Sequence, residues 1–96
     1  MGLRDSYDFD SLVNEAERFV LGELETRIAA DSSICRCQDC VLDMAAFALN
    51  NVKPAYRVSL MGSVYAKTAS HEEYLKDIRR AVEEAVKRVK ANPNHD

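Results

Sequence analysis

The chain has 96 residues, a net charge of −3 at pH 7, 47 % hydrophobic residues and 30 % charged ones. Such a length makes one domain, 1–96 with an ordered core over about 10–92, and it buries only about 60–65 % of its unfolded surface. The acidic balance excludes a broad basic face and hence direct DNA binding as the main activity. Three Gly and two Pro exclude a loop-rich or all-β fold.

The opening residues, MGLRDSYDFD, carry no apolar run of the kind found in secretory signals. No stretch reaches the ~20 apolar residues of a membrane span. The expectation is a cytoplasmic protein whose thiols stay reduced.

Residues 1–9 read as frayed, with Tyr7 and Phe9 as side chains that could dock. Asp10 or Ser11 is placed to cap a first helix. Leu12, Ala16, Phe19, Val20, Leu24 and Ile28 recur at helical spacing as one apolar stripe, and Glu15, Glu17, Glu23, Glu25 and Arg27 lie off it. Gly22 costs ~1 kcal/mol relative to Ala and is read as the close approach of another helix. This helix should end near Ala30.

A second helix is expected over about Asp39 to Asn51, with Asp39 as its cap. Val41, Leu42, Met44 and the run from Ala45 to Leu49 leave it almost no polar face, so it should be buried on several sides. A single short subunit has little with which to surround such a helix, and a homodimer is therefore expected. Lys53-Pro54 stops it, because the residue before proline is driven out of the α region. Tyr56 to Tyr65 reads as a short hairpin or two extended pieces.

The last helix is predicted over about 70–91. Ser70 and Glu73 form a capping box. Leu75, Ile78, Val82, Ala85 and Val89 follow 3-4-3-4 spacing, widened by Tyr74, Ala81 and Val86. Glu72 and Glu73 complement one end of the dipole, and Lys87, Arg88 and Lys90 the other. The fold class is thus mostly α: a small domain of three main helices with a short extended or hairpin segment, homodimeric.

The chemistry concentrates in Ile34 to Tyr56. Cys35, Cys37 and Cys40 form a Cys-X-Cys-X-X-Cys array, an odd count that cannot pair fully as disulfides. Soft thiolates select Zn²⁺ or an iron–sulfur cluster, and the lack of a fourth cysteine disfavours the cluster. Cys40 should fall in the first helical turn, where the helix dipole favours a thiolate. A closed zinc site needs four ligands. The fourth could be His71, His95, Asp39, a water or a group of another subunit; His71, at a helix start, is favoured. The competing reading is three small thiols packed at a helix start. Zinc, if bound, is structural.

Asp43 is a single acid in an apolar helix, which either bonds its own helix start or points into a polar pocket. Asn50 reads as a helix C-terminal residue. Arg36 and Arg57 are candidate anion or base-stacking groups, and Tyr56 follows the proline stop. There is no Ser-His-Asp set, no phosphate-binding Gly loop and no paired catalytic acids, so no enzymatic activity is expected.

The array, Asp43, Ala46, the run Ala48-Leu49-Asn50, Pro54 and Tyr56 together resemble the late competence development protein ComFB family over about residues 12–92. Asn14-Glu15 and Gly62 with its following aromatic fit as well. Ala55 departs from the Pro-Pro-Arg-Tyr that family members often show. The resemblance implies a small, mostly helical, zinc-carrying bacterial homodimer that regulates rather than catalyses. It also implies a receptor for cyclic dinucleotides, cyclic di-GMP in particular, linked to competence, pili and motility. Asp43 could accept from guanine N1–H and N2–H₂, an Arg fork suits O6 and N7, and Tyr56 or Tyr65 could stack on the base. Arg36, Lys53, Arg57 or Lys67 could meet the phosphates. The alternative is a zinc-stapled protein–protein adaptor of the DNA-uptake or pilus machinery that binds no nucleotide.

Overall fold

Two polar residues, Asn14 and Glu15, decide where the first long helix starts and what it holds. The structure, a computed structural model, describes residues 2–58 and 71–93. Among them the order is α1 (Leu3–Ser6), a 3-10 turn (Phe9–Ser11), β1 (Val13–Asn14), α2 (Glu15–Ala30), α3 (Gln38–Leu49), β2 (Tyr56–Arg57) and α4 (His71–Ala91). The expected cap at Ser70, and the part of the expected hairpin beyond Val58, lie outside the described residues.

The cap of α2 is Asn14, not Asp10 or Ser11: its side-chain oxygen accepts from the N–H of Ala16. The same oxygen accepts from the N–H of Ala55, and the N–H of Glu15 donates to the carbonyl of Ala55 at 2.8 Å. Leu12 therefore stands before the helix and is exposed. β1 and β2 pair antiparallel in register Val13↔Arg57 and Asn14↔Tyr56. Glu15, expected off the apolar stripe, is buried at 4 % exposure. Its carboxylate accepts from Arg57 Nε at 2.7 Å and from Arg18 at 2.7 Å. These two guanidiniums hold the Glu15 carboxyl below its ordinary value.

α2 ends at Ala30 as expected. Asp31 then forms a turn by accepting from the N–H and hydroxyl of Ser33, and it pairs with Lys90 at 3.0 Å. The Ser33 and Lys90 contacts hold the Asp31 carboxyl down at about 2. Gly22 makes no close helix approach: a Cβ there would meet nothing within 4 Å, and the residue faces open space.

α4 delivers the spacing its sequence announces. Ile78, Ala81, Val82, Ala85, Val86 and Val89 are buried, with Tyr74 packed at the edge. They meet Val20 and Leu24 of α2 and Cys40, Met44, Ala45 and Ala48 of α3. The contacts set directions. Phe19 meets His71 and Tyr74, and Asp31 meets Lys90, so α4 runs parallel to α2. The Tyr74 hydroxyl donates to the carbonyl of Lys53, beyond the end of α3, so α4 runs against α3. No helix among the described residues is long and apolar enough to cross a membrane.

α3 is less enclosed than its composition implies. Leu42 is 57 % exposed, and Asp39, Asp43, Ala46 and Asn50 share that exposed side at i, i+3, i+4 spacing. Apolar composition reports how much surface a helix would bury and not which residues its own chain covers.

Met44 is fully buried at the three-helix junction, so Met44→Ala should lower stability by ~2–5 kcal/mol in urea titrations. Glu15 and Asp31 have lowered folded-state values, so the stability they contribute is complete above their unfolded values and is lost as pH falls through the folded ones. The urea midpoint should therefore fall between about pH 5 and pH 2. A double variant Glu15→Gln with Asp31→Asn should show a flatter decline.

Candidate functional site

The segment between α2 and α3 is tied down at three places on either side of its first cysteine. Asp31 anchors its start, Ile34 sinks into the core at 4 % exposure, and Arg36 donates to the carbonyl of Ile28 at 2.8 Å. Arg36 thereby satisfies one of the carbonyls left open at the end of α2. It was a candidate ligand group and is engaged with its own chain.

Cys37, not Asp39, caps α3. Its Sγ accepts from the N–H of Cys40 at 3.3 Å, as a serine oxygen would at that position. Cys35 and Cys37 are partly buried and Cys40 fully so. The three Sγ atoms lie within 4.8 Å of one another. A tetrahedral zinc with Zn–S bonds of about 2.3 Å sets its sulfurs roughly 3.8 Å apart. The array thus needs only a small inward movement to hold a metal ion. The open N–H groups and positive dipole end of α3 favour the thiolate state that ligation requires. Three soft donors at one helix start are suited to a soft or borderline cation.

The array does not gather His71. That ring meets Phe19 edge-on at 5.8 Å, and its Nδ1 is buried with no hydrogen-bond partner among the described residues. Asp39 is exposed and also outside the group of three. His95 lies outside the described residues.

The five candidate ligand residues are spread over the surface. Asp43 is exposed on α3 and makes no hydrogen bond among the described residues. Asn50 is the C-cap of α3, as the sequence predicts. Tyr56 is 63 % exposed on β2. Arg57 bonds Glu15 through Nε, and Arg36 bonds the carbonyl of Ile28 through one terminal nitrogen. Sequence reasoning missed the Asn14–Glu15 latch, whose local signal is an Asn set directly before an acidic first turn. It also missed a cleft of about 480 Å³ between the end of α3 and the middle of α4, with Phe47 on one side and Arg80 on the other.

The family described as late competence development protein ComFB matches residues 13–93. This chain belongs to the ComFB family. The matched span takes in the latch, the cysteine array, the exposed side of α3 and all of α4, which are the features that its ComFB-like motifs single out. No curated relative matches the chain.

The array carries a direct test. The purified chain should take up one zinc per subunit, measured by elemental analysis. Cys40→Ser should reduce that content strongly. A chelator should lower the melting temperature of the original chain and leave that of the Ser variant nearly unchanged.

Proposed function

We propose that this ComFB protein is a non-enzymatic bacterial regulator, linked to competence, pili or motility, that works as a zinc-stabilised homodimer and binds a cyclic dinucleotide, cyclic di-GMP first. Membership of the family over residues 13–93 carries the reading, because the motifs that fit the family are the ones that imply this ligand. Asp43 and Tyr56 support it: both are exposed and unspent, an acceptor and a stacking ring such as a guanine needs. Arg36 and Arg57 each bond their own chain through one nitrogen, and their remaining N–H groups can meet the phosphates.

The dimer has its own support. Leu42 and Ala46 on the open side of α3 are the side chains a second copy would cover.

An adaptor function is favoured by the apolar residues around Tyr56. Leu12, Tyr56 and Val58 are 42 %, 63 % and 67 % exposed around the small sheet, an apolar face of the kind that contacts proteins.

Calorimetric titration decides between the two. Cyclic di-GMP should give measurable heat, and at ~100-fold excess over Kd it should add about 2.7 kcal/mol to stability. Sedimentation should show a dimer at tens of micromolar. No heat and no melting shift would remove the receptor reading, and a stoichiometric complex with a pilus or DNA-uptake subunit would then establish the adaptor.

A further inference from the structure

We infer that Cys37 and Cys40 form an oxidisable dithiol, which a hydroperoxide closes to a disulfide, and that Cys35 stays outside the bond. Cys37 is the N-cap of α3, and Cys40 lies one turn into it. The backbone of Cys37 is extended, at φ −70° and ψ 157°, and its Sγ accepts from the N–H of Cys40 at 3.3 Å. The first sulfur thus stands beside the backbone of the residue that carries the second. The Sγ atoms of the array lie within 4.8 Å of one another. Residues three apart at a helix start have Cα atoms about 5 Å apart, inside the roughly 4.4–6.8 Å that a disulfide spans. Rotation of the two side chains therefore closes the bond while the helix stays wound. Pairing Cys35 with Cys37 would instead close a ring over Arg36 alone, and Arg36 is anchored on the carbonyl of Ile28 at 2.8 Å. Loops that short are stiff and costly to close.

Exposure assigns the order of events. Cys37 is partly exposed, whereas Cys40 is 0 % exposed. A peroxide from solvent therefore meets Cys37 first. The Cys37 sulfur attacks one oxygen of hydrogen peroxide, the O–O bond breaks, Cys37 becomes a sulfenic acid and one water leaves. The Cys40 sulfur then attacks the Cys37 sulfur, the S–S bond forms, the S–O bond breaks and a second water leaves. Two thiols have lost two protons and two electrons, and one peroxide has taken them up as two waters. Burial keeps Cys40 from direct oxidation and reserves it for the second step. The hydrogen bond from its N–H holds the Cys37 sulfur within its reach.

The bond changes what the array can hold. Metal ligation by cysteine requires the thiolate, and a disulfide removes two of the three sulfur donors. The array thus holds a metal ion while reduced and releases it when oxidised, with Cys35 left as its one thiol. The helix itself is retained, because the bond forms inside its first turn and Met44, Ala45 and Ala48 keep α3 seated in the core. Metal release rests on the zinc reading above; the disulfide does not.

The test treats the full chain with hydrogen peroxide, both metal-free and loaded with zinc, and reads intact mass, the bonded peptides and the zinc set free to a coloured indicator. Each chain should lose the mass of two hydrogens, join Cys37 to Cys40 and keep one thiol open to alkylation. A dithiol reductant should restore the original mass, and the loaded chain should release one zinc per disulfide formed. Cys35→Ser should still close the bond. Cys40→Ser should stop at the sulfenic acid of Cys37, trapped as its adduct with a cyclic 1,3-dione. Cys35 lies partly exposed, ahead of α3, so its variant remains informative even if replacing buried Cys40 prevents folding. A bond to Cys35, or oxidation of all three sulfurs to sulfinic acids with no disulfide, overturns the dithiol and leaves the zinc reading standing. A Cys37–Cys40 bond in a chain that never takes up zinc overturns the metal release alone.

Discussion

The fold hangs on a buried carboxylate that two chain segments, α2 and β2, share. Glu15 opens α2, receives Arg18 from its own helix and receives Arg57 from across the molecule. Asn14, one residue earlier, bonds the N–H of Ala55 while capping the helix. The path that leaves α3 through Pro54 is therefore fixed against the start of α2. A buried acid without such partners would be costly. With them it specifies one exit direction for α3, and hence where Lys53 can stand beside α4.

The molecule has a polar end and a sulfur end, and α3 spans the distance between them. At its C-terminus lie the latch, the Tyr74 contact and the cleft. At its N-terminus lie Asp31, Arg36 and the cysteine array. α4 touches both ends, through Tyr74 near its start and Lys90 near its finish. The two ends are thus joined by one helix, seated through Met44 in the common core.

What the sequence made legible follows from range. α4 could be read almost residue by residue, because its 3-4-3-4 spacing is local and strong. The close of α2 at Ala30 and the gathering of Cys35, Cys37 and Cys40 were legible for the same reason. Glu15 was not: the partner that makes its burial tolerable sits 42 residues away. Nothing local showed that Arg36 and Arg57 also hold the chain together through Ile28 and Glu15. The open side of α3 was hidden by its own greasiness, since Leu42 counts as apolar whether or not anything lies on it. Sulfur at the cap position was overlooked because capping is usually sought among oxygens.

That sulfur cap has a consequence for how the array fills. Cys37 already closes the first turn of α3 through the Cys40 N–H. The backbone therefore holds the Sγ atom of Cys37 at the start of α3 with no ion in place, and filling the array would not require that turn to unwind.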